Sequence, residues 1–220
     1  MTTRPFKSAA VSPTDNSAAL VVVVDDDHGM REGLREILQS VGIETLGFAS
    51  TAELLAEALP DRPGCLVLDV RLPGLSGLDL QTKLNALGNQ LPIIFMTGYG
   101  DVPMSVRAMK AGAVDFLTKP FRDQEMLDAV AIAIEKDRAR RSEISANSEV
   151  AALAATLTPR EKQVMAAVAT GLLNKQIAHE LGLSEITVKI HRGNVMRKMK
   201  ATSIADLIRK VDSLQTASAG

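Results

Sequence analysis

The chain has 220 residues, enough for two small domains, with 46% hydrophobic and 23% charged residues, the balance of an ordinary soluble globular protein. Its single cysteine excludes an internal disulfide framework and a thiolate zinc site, and no stretch approaches the ~18–20 apolar residues of a membrane-spanning helix. The formal net charge of −1 hides an asymmetry: residues 157–213 hold ten basic against five acidic residues, a net of +5, so the remainder carries −6. An acidic part joined to a basic part suggests a nucleic-acid partner for the basic part alone.

Residues 1–19 are rich in Pro, Ser, Thr and Asn and read as a disordered tail. They hold basic residues but no apolar h-region, so no signal peptide is expected, and the cytoplasm is the expected location. From Leu20 to about Arg141, apolar runs alternate with helical patterns. Leu20–Val24 reads as a buried strand, followed by a helix near Met30–Val41 with Met30, Leu34, Ile37, Leu38 and Val41 on one apolar face. Ile43–Phe48 is a short strand and Thr51–Leu59 a helix. Cys65–Leu68 is a strand, with Cys65 a buried thiol, and a Pro/Gly-rich loop leads to a helix ending near Leu87. Leu91–Met96 and Val114–Leu117 are strands, separated by a helix across Met104–Ala111. A last helix starts near Asp123, with Leu127, Val130, Ala131 and Ile134 apolar, and turns charged through Glu135–Arg141. Five strand–helix repeats predict an α/β, doubly wound, five-stranded parallel sheet of flavodoxin-like order 2-1-3-4-5 over residues 20–141.

Residues 142–156 are small and polar and read as a partly helical linker. A second, all-α domain of four helices is expected over 157–214, followed by a tail at 215–220. Thr158-Pro159-Arg160-Glu161 is a helix start, with Thr at N-cap, Pro at N1 and Glu at N3 of a capping box. Gly171 and Gly182 stop the first two helices. Ser184 caps a third helix from Glu185 to about Lys200, and Ser203 caps a fourth. Two helices joined through Gly182-Leu183-Ser184 form a helix-turn-helix pattern.

The strand ends carry the chemistry. Parallel strands gather their C-terminal ends on one edge, where α/β folds bind ligands. Asp25 and Asp26, Asp69, Thr97 and Lys119 follow four of these runs. Phosphoryl transfer needs in-line positioning and charge neutralisation more than covalent help. Asp69 is the candidate nucleophile, a carboxylate that would become an aspartyl phosphate. Asp25, Asp26 and Asp69 suit Mg²⁺, a hard ion that takes oxygen ligands. Lys119 would pair with one phosphate oxygen, and the Thr97 hydroxyl would bond another. A haloacid-dehalogenase-like phosphatase would also use an Asp nucleophile, but it needs a second Asp two residues on, where this chain has Arg71.

Asp25-Asp26, Asp69 in Leu-Asp-Val-Arg-Leu-Pro-Gly, Thr97-Gly98 and Lys119-Pro120 resemble the receiver domain of two-component response regulators, in that order and at that spacing. The stretch from Gly100 to Ala113 resembles the FixJ subgroup in particular. The resemblance implies a sensor histidine kinase as phosphate donor and no enzymatic activity beyond the domain's own phosphorylation and dephosphorylation. It implies that the backbone carbonyl of Arg71 completes the metal shell. It makes Phe116 a switch partner of Thr97, and it makes Tyr99 a position that tunes phosphate lifetime. It also implies homodimerisation on phosphorylation through a face formed by Met104, Arg107, Ala108, Ala111 and Phe116.

In the basic part, Lys189 and Arg192 are i, i+3 neighbours on the third helix, whose apolar residues Ile186, Val188, Val195, Met196 and Met199 are expected in the domain core. The segments Leu157–Glu161, Asn174–Ala178 and Thr187–His191 resemble the LuxR/NarL-type DNA-binding domain. The resemblance places Lys189, Ile190, Arg192, Gly193 and Asn194 in the major groove of double-stranded promoter DNA. It makes Lys175, Thr187, His191, Arg197 and Lys198 candidates for backbone contacts. The last helix, with Ile204, Leu207, Ile208 and Val211, would pair with its copy in a dimer. The whole reading implies a transcription factor of the FixJ/NarL type that acts on RNA polymerase.

Overall fold

A computed structural model describes residues 18–98 and 102–217, the last three by their backbone alone. Residues 1–17 of the tail expected over 1–19, Tyr99 and residues 218–220 lie outside the described residues. The chain divides into two compact units, one up to Arg140 and one from Arg141.

In the first unit the strands are β1 (Leu20–Val24), β2 (Glu44–Phe48), β3 (Gly64–Asp69), β4 (Ile93–Thr97) and β5 (Asp115–Thr118). They form a parallel sheet in the order β2-β1-β3-β4-β5. The helices between them are α1 (His28–Ser40), α2 (Thr51–Ala56), α3 (Gly77–Ala86) and α4 (Val102–Lys110), and α5 (Asp123–Ala155) follows β5. β1 and β3 are buried along their whole length, because helices cover both faces of a parallel sheet. Alternate residues feed two cores. Val22, Val24, Leu66, Leu68 and Phe95 meet Leu54, Leu80 and Leu84 on one face. Val21, Val23, Cys65, Val67 and Ile94 meet Leu34, Leu38, Met126 and Val130 on the other. Burial, then the charge of Asp137, pushes the Cys65 thiol up to about 12, so it stays a protonated core residue.

Two sequence expectations for this unit change. Val41 caps α1 and is exposed, because the face that meets the sheet is set by Leu34 and Leu38. On α5 the buried face is Met126, Ala129, Val130, Ala133 and Ile134, with Ala131 outside. The charged stretch that follows hides a fully buried carboxylate. Asp137 Oδ2 accepts the Gly64 N–H at 3.1 Å, and Oδ1 accepts from Arg140 at 2.6 Å. Gly64 has no room for a side chain, since a Cβ there would lie 1.9 Å from the Leu20 carbonyl oxygen.

The stretch 142–156, expected as a partly helical linker, continues α5 without a break to Ala155. Val150, Leu153 and Ala154 pack against the core of the second unit, and that packing favours helix over an open linker. The second unit continues with α6 (Pro159–Ala169), α7 (Asn174–Leu181), α8 (Glu185–Lys198) and α9 (Ile204–Ala217). Their shared core is Leu157, Val164, Val168, Ile177, Val188, Val195, Met199 and Leu207. The capping box is present: Thr158 Oγ1 accepts the Glu161 N–H at 3.3 Å, and Glu161 Oε2 accepts the Thr158 N–H at 2.9 Å. Gly182 ends α7 in the left-handed conformation (φ 64°), and Ser184 caps α8 through the Thr187 N–H.

Candidate functional site

Register puts the polar residues side by side. Val24 of β1 pairs with Leu68 of β3, so Asp25 and Asp69 stand side by side at the strand ends. Asp69 pairs with Met96, and Thr97 with Thr118, which brings Thr97 and Lys119 to the same edge. The Lys119 N–H donates to the Thr97 carbonyl at 2.8 Å, and the following Lys119–Pro120 peptide is cis.

Lys119 Nζ donates to Asp25 Oδ2 and to Asp69 Oδ2, each at 2.6 Å. Asp25 and Asp69 are buried, Asp26 is exposed, and Thr97 is fully buried. One carboxylate oxygen from each of Asp25, Asp26 and Asp69 lies within 4.8 Å of the others. Three hard oxygen donors this close suit a divalent cation of the Mg²⁺ kind. Burial pushes the Asp25 carboxyl up, and its bonds to Lys119 and to the Asp27 N–H offset part of that. Burial works to lower Lys119, but its two carboxylate partners outweigh it and hold the ammonium above its usual value. Neighbouring backbone holds the cluster in place. Asp69 Oδ1 accepts the Arg71 N–H at 2.9 Å, and Arg31 donates to the Asp25 carbonyl at 2.5 Å. Asp27 caps α1 by accepting from Gly29 and Met30. Gly77 opens α3 so close to Asp69 that a Cβ would meet its carbonyl oxygen at 2.4 Å. A groove of about 620 Å³ beside the cluster is lined in part by Asp26, Arg71, Ser76, Met104 and Arg107. Phe116 is half-buried on β5, its ring 6.3 Å from that of Phe95.

In the second unit, α8 and its C-cap bury Val188, Val195 and Met199, and the opposite face of the helix meets solvent. That outer face carries Ile186, Lys189, Ile190, Gly193 and Arg197, all exposed. Ile186, expected in the core, is 73% exposed, because Val188 takes the inward position of this turn. Arg192 lies on the flank, where Nη1 donates to Asn174 Oδ1 of α7 at 2.9 Å. His191 and Asn194 are half-buried, Lys175 is exposed, and the Thr187 hydroxyl bonds that of Ser184 at 2.8 Å. Lys198 is engaged inside its own unit. Its Nζ, expected at the DNA backbone, meets Glu161 Oε2 at 2.6 Å and the Thr156 carbonyl at 3.1 Å. Lys198 first, then the Thr158 amide, holds the Glu161 carboxyl down to about 2.

The model of the response regulator receiver domain matches residues 21–131, and that of the luxR family of bacterial regulatory proteins matches residues 155–211. The chain belongs to the FixJ/NarL family of response regulators. It is 59% identical to Nodulation protein W of Bradyrhizobium diazoefficiens over 90% of this chain and 88% of that one. It is 46% identical to the transcriptional regulatory protein FixJ of Azorhizobium caulinodans over 86% and 90% of the two chains. Among solved structures it is similar to response regulator StyR (TM-score 0.79, 46% identity, 89% of this chain and 99% of that one). Full-length FixJ from B. japonicum matches with TM-score 0.56 and 39% identity over 91% and 98% of the two chains.

A receiver joined to a LuxR-type domain makes the chain a two-component response regulator and transcription factor, which implies a kinase partner and DNA binding. No helix among the described residues is long and apolar enough to cross a membrane. The expected pairing faces need correction. Ala108 is wholly buried in the receiver core, and Leu207 and Val211 are buried in the LuxR-type core. They hold their own units together and offer no surface to a partner. Met104, Arg107, Ala111, Phe116, Ile204 and Ile208 keep exposed or half-exposed surface.

Proposed function

We propose that Asp69 takes a phosphoryl group from a phosphohistidine of a cytoplasmic sensor histidine kinase, and that this drives homodimerisation and sequence-specific binding to promoter DNA. The observation that carries the proposal is the convergence of Asp25, Asp26 and Asp69 with Lys119, whose ammonium lies 2.6 Å from an Asp69 oxygen. An Asp69 carboxylate oxygen attacks phosphorus in line. The new O–P bond forms as the donor's N–P bond breaks, and the imidazole leaves with that electron pair. Asp25, Asp26, Asp69 and the Arg71 carbonyl would hold Mg²⁺, which supplies neutralisation of charge on the phosphoryl oxygens. Lys119 keeps its proton throughout and pairs with one phosphoryl oxygen. The Thr97 hydroxyl turns to bond another, and Phe116 follows inward, remodelling the surface around Met104 and Arg107. The domain catalyses only its own phosphorylation and dephosphorylation. The dimer presents two α8 helices to successive major grooves, about 34 Å apart, and acts on RNA polymerase.

Incubation of the full-length protein with acetyl phosphate and Mg²⁺ tests this by intact mass, beside Asp69→Asn. Wild type is expected to gain one phosphoryl group, to sediment as a dimer and to bind duplex DNA more tightly. Equal dimerisation and DNA affinity in the two proteins after that treatment would refute phosphorylation control.

A further inference from the structure

Ile186 is an unexplained expenditure of apolar surface. It stands in the first turn of α8, 73% exposed, one turn before Ile190, which is 60% exposed. No core residue of its unit takes either side chain, since the core uses Val188, Val195 and Met199 from this helix. The two isoleucines, at i and i+4, flank Lys189 on a face that continues through Gly193 to Arg197. A charged helix face interrupted by two branched apolar side chains fits a surface that alternates anionic and apolar features. The major groove is such a surface: phosphates line its rims, and the thymine C5-methyl is the apolar group on its floor. Helix-turn-helix proteins bring the N-terminal residues of the second helix to the base edges, and Ile186 occupies that turn.

We infer that Ile186 is a sequence-reading residue, which selects thymine through its C5-methyl group. The inference rests on the proposed entry of α8 into DNA and adds to it a base and a group on that base. Lys189 and Arg197 add electrostatic attraction, which favours no base through charge alone.

The test uses the full-length protein treated with acetyl phosphate and Mg²⁺. Binding sites are selected from a randomised duplex, and each thymine of the selected site is then replaced by deoxyuridine, which removes only the methyl group. Affinity is read by fluorescence anisotropy. Loss of one buried methyl contact is worth about fourfold in affinity, so wild type is expected to weaken by about that factor at one or more thymines per half-site. In Ile186→Ser the penalty at one such thymine should vanish while those at the others remain, and Ile186→Val should keep it. The exposure of Ile186 makes folding insensitive to either change, and circular dichroism checks that. Unchanged uracil penalties in Ile186→Ser, or a selected site at which no thymine methyl matters, would overturn the assignment and leave DNA binding intact. Absence of any selected duplex would refute the DNA-binding reading and the assignment together.

Discussion

Replacing Gly193 by alanine is expected to make α8 more stable and the protein a weaker DNA binder. Gly193 lies inside α8, on its exposed face, and a Cβ built there meets no atom within 4 Å. The fold therefore gains nothing from the missing side chain, and the full helix-propensity difference should be recovered, about 1 kcal/mol. That corresponds to roughly a fivefold smaller opening equilibrium. Amide hydrogen exchange by mass spectrometry reads it on the full-length chain. Peptides covering 185–198 should exchange about fivefold more slowly in Gly193→Ala, and receiver peptides should not change. Exchange that is unchanged or faster would refute the open space around Gly193. The second limb is duplex affinity. If the bare backbone approaches DNA closely at this position, the stabler variant binds more weakly. Equal affinity would show that the glycine serves no such approach.

Glu161 links the second unit to pH. Its folded value of about 2 lies below the ordinary 4.5, so its contribution to stability is complete above about pH 4.5 and is lost as the pH falls toward 2. Urea midpoints by far-UV circular dichroism should fall over that window in wild type and less steeply in Glu161→Gln. At the start of α7 the N-cap side chain is Leu173, 69% exposed, which makes no cap hydrogen bond. Leu173→Ser should raise the stability of the second unit by about 1 kcal/mol, and an unchanged urea midpoint would mean that these helix amides are already satisfied. Gly64→Ala drives a Cβ to 1.9 Å from the Leu20 carbonyl oxygen, a backbone atom that cannot move without parting β1 from β3. The receiver should lose about 3 kcal/mol or more by overpacking, read as a fall in its thermal midpoint. Gly33→Ala on α1, where nothing lies within 4 Å, is the control and should gain about 1 kcal/mol.

Sequence reading found the acidic site because its signals are local. An apolar run of strand length followed by Asp, Thr or Lys needs no knowledge of its neighbours, and parallel order places such ends on one edge. It missed features that depend on a partner distant in the chain. Asp137 reads as part of a charged, solvated stretch, yet it is fully buried on the Gly64 N–H across 73 residues. Lys198 reads as one more cation for DNA, yet it closes on the capping-box carboxylate of Glu161 across 37 residues. The capping box itself was legible, but the burial of its Glu161, which draws the cation, belongs to the tertiary structure.

The sequence by itself determined the order of elements, the helix starts at Thr158 and Ser184, and the residues Asp25, Asp26, Asp69, Thr97 and Lys119 as one set. Each of those follows from hydrophobic run length, cap chemistry or strand direction, which act over a few residues. Tertiary structure decided which apolar side chain of each turn goes inward. Val188 and Ile186 have similar hydrophobicity and sit two residues apart, but only Val188 faces the space that Ile177, Val195 and Met199 enclose. It likewise carried α5 through 142–155, where Val150 and Leu153 find a core to bury against. Burial free energy depends on the surface available elsewhere in the fold, and a local pattern does not contain that surface.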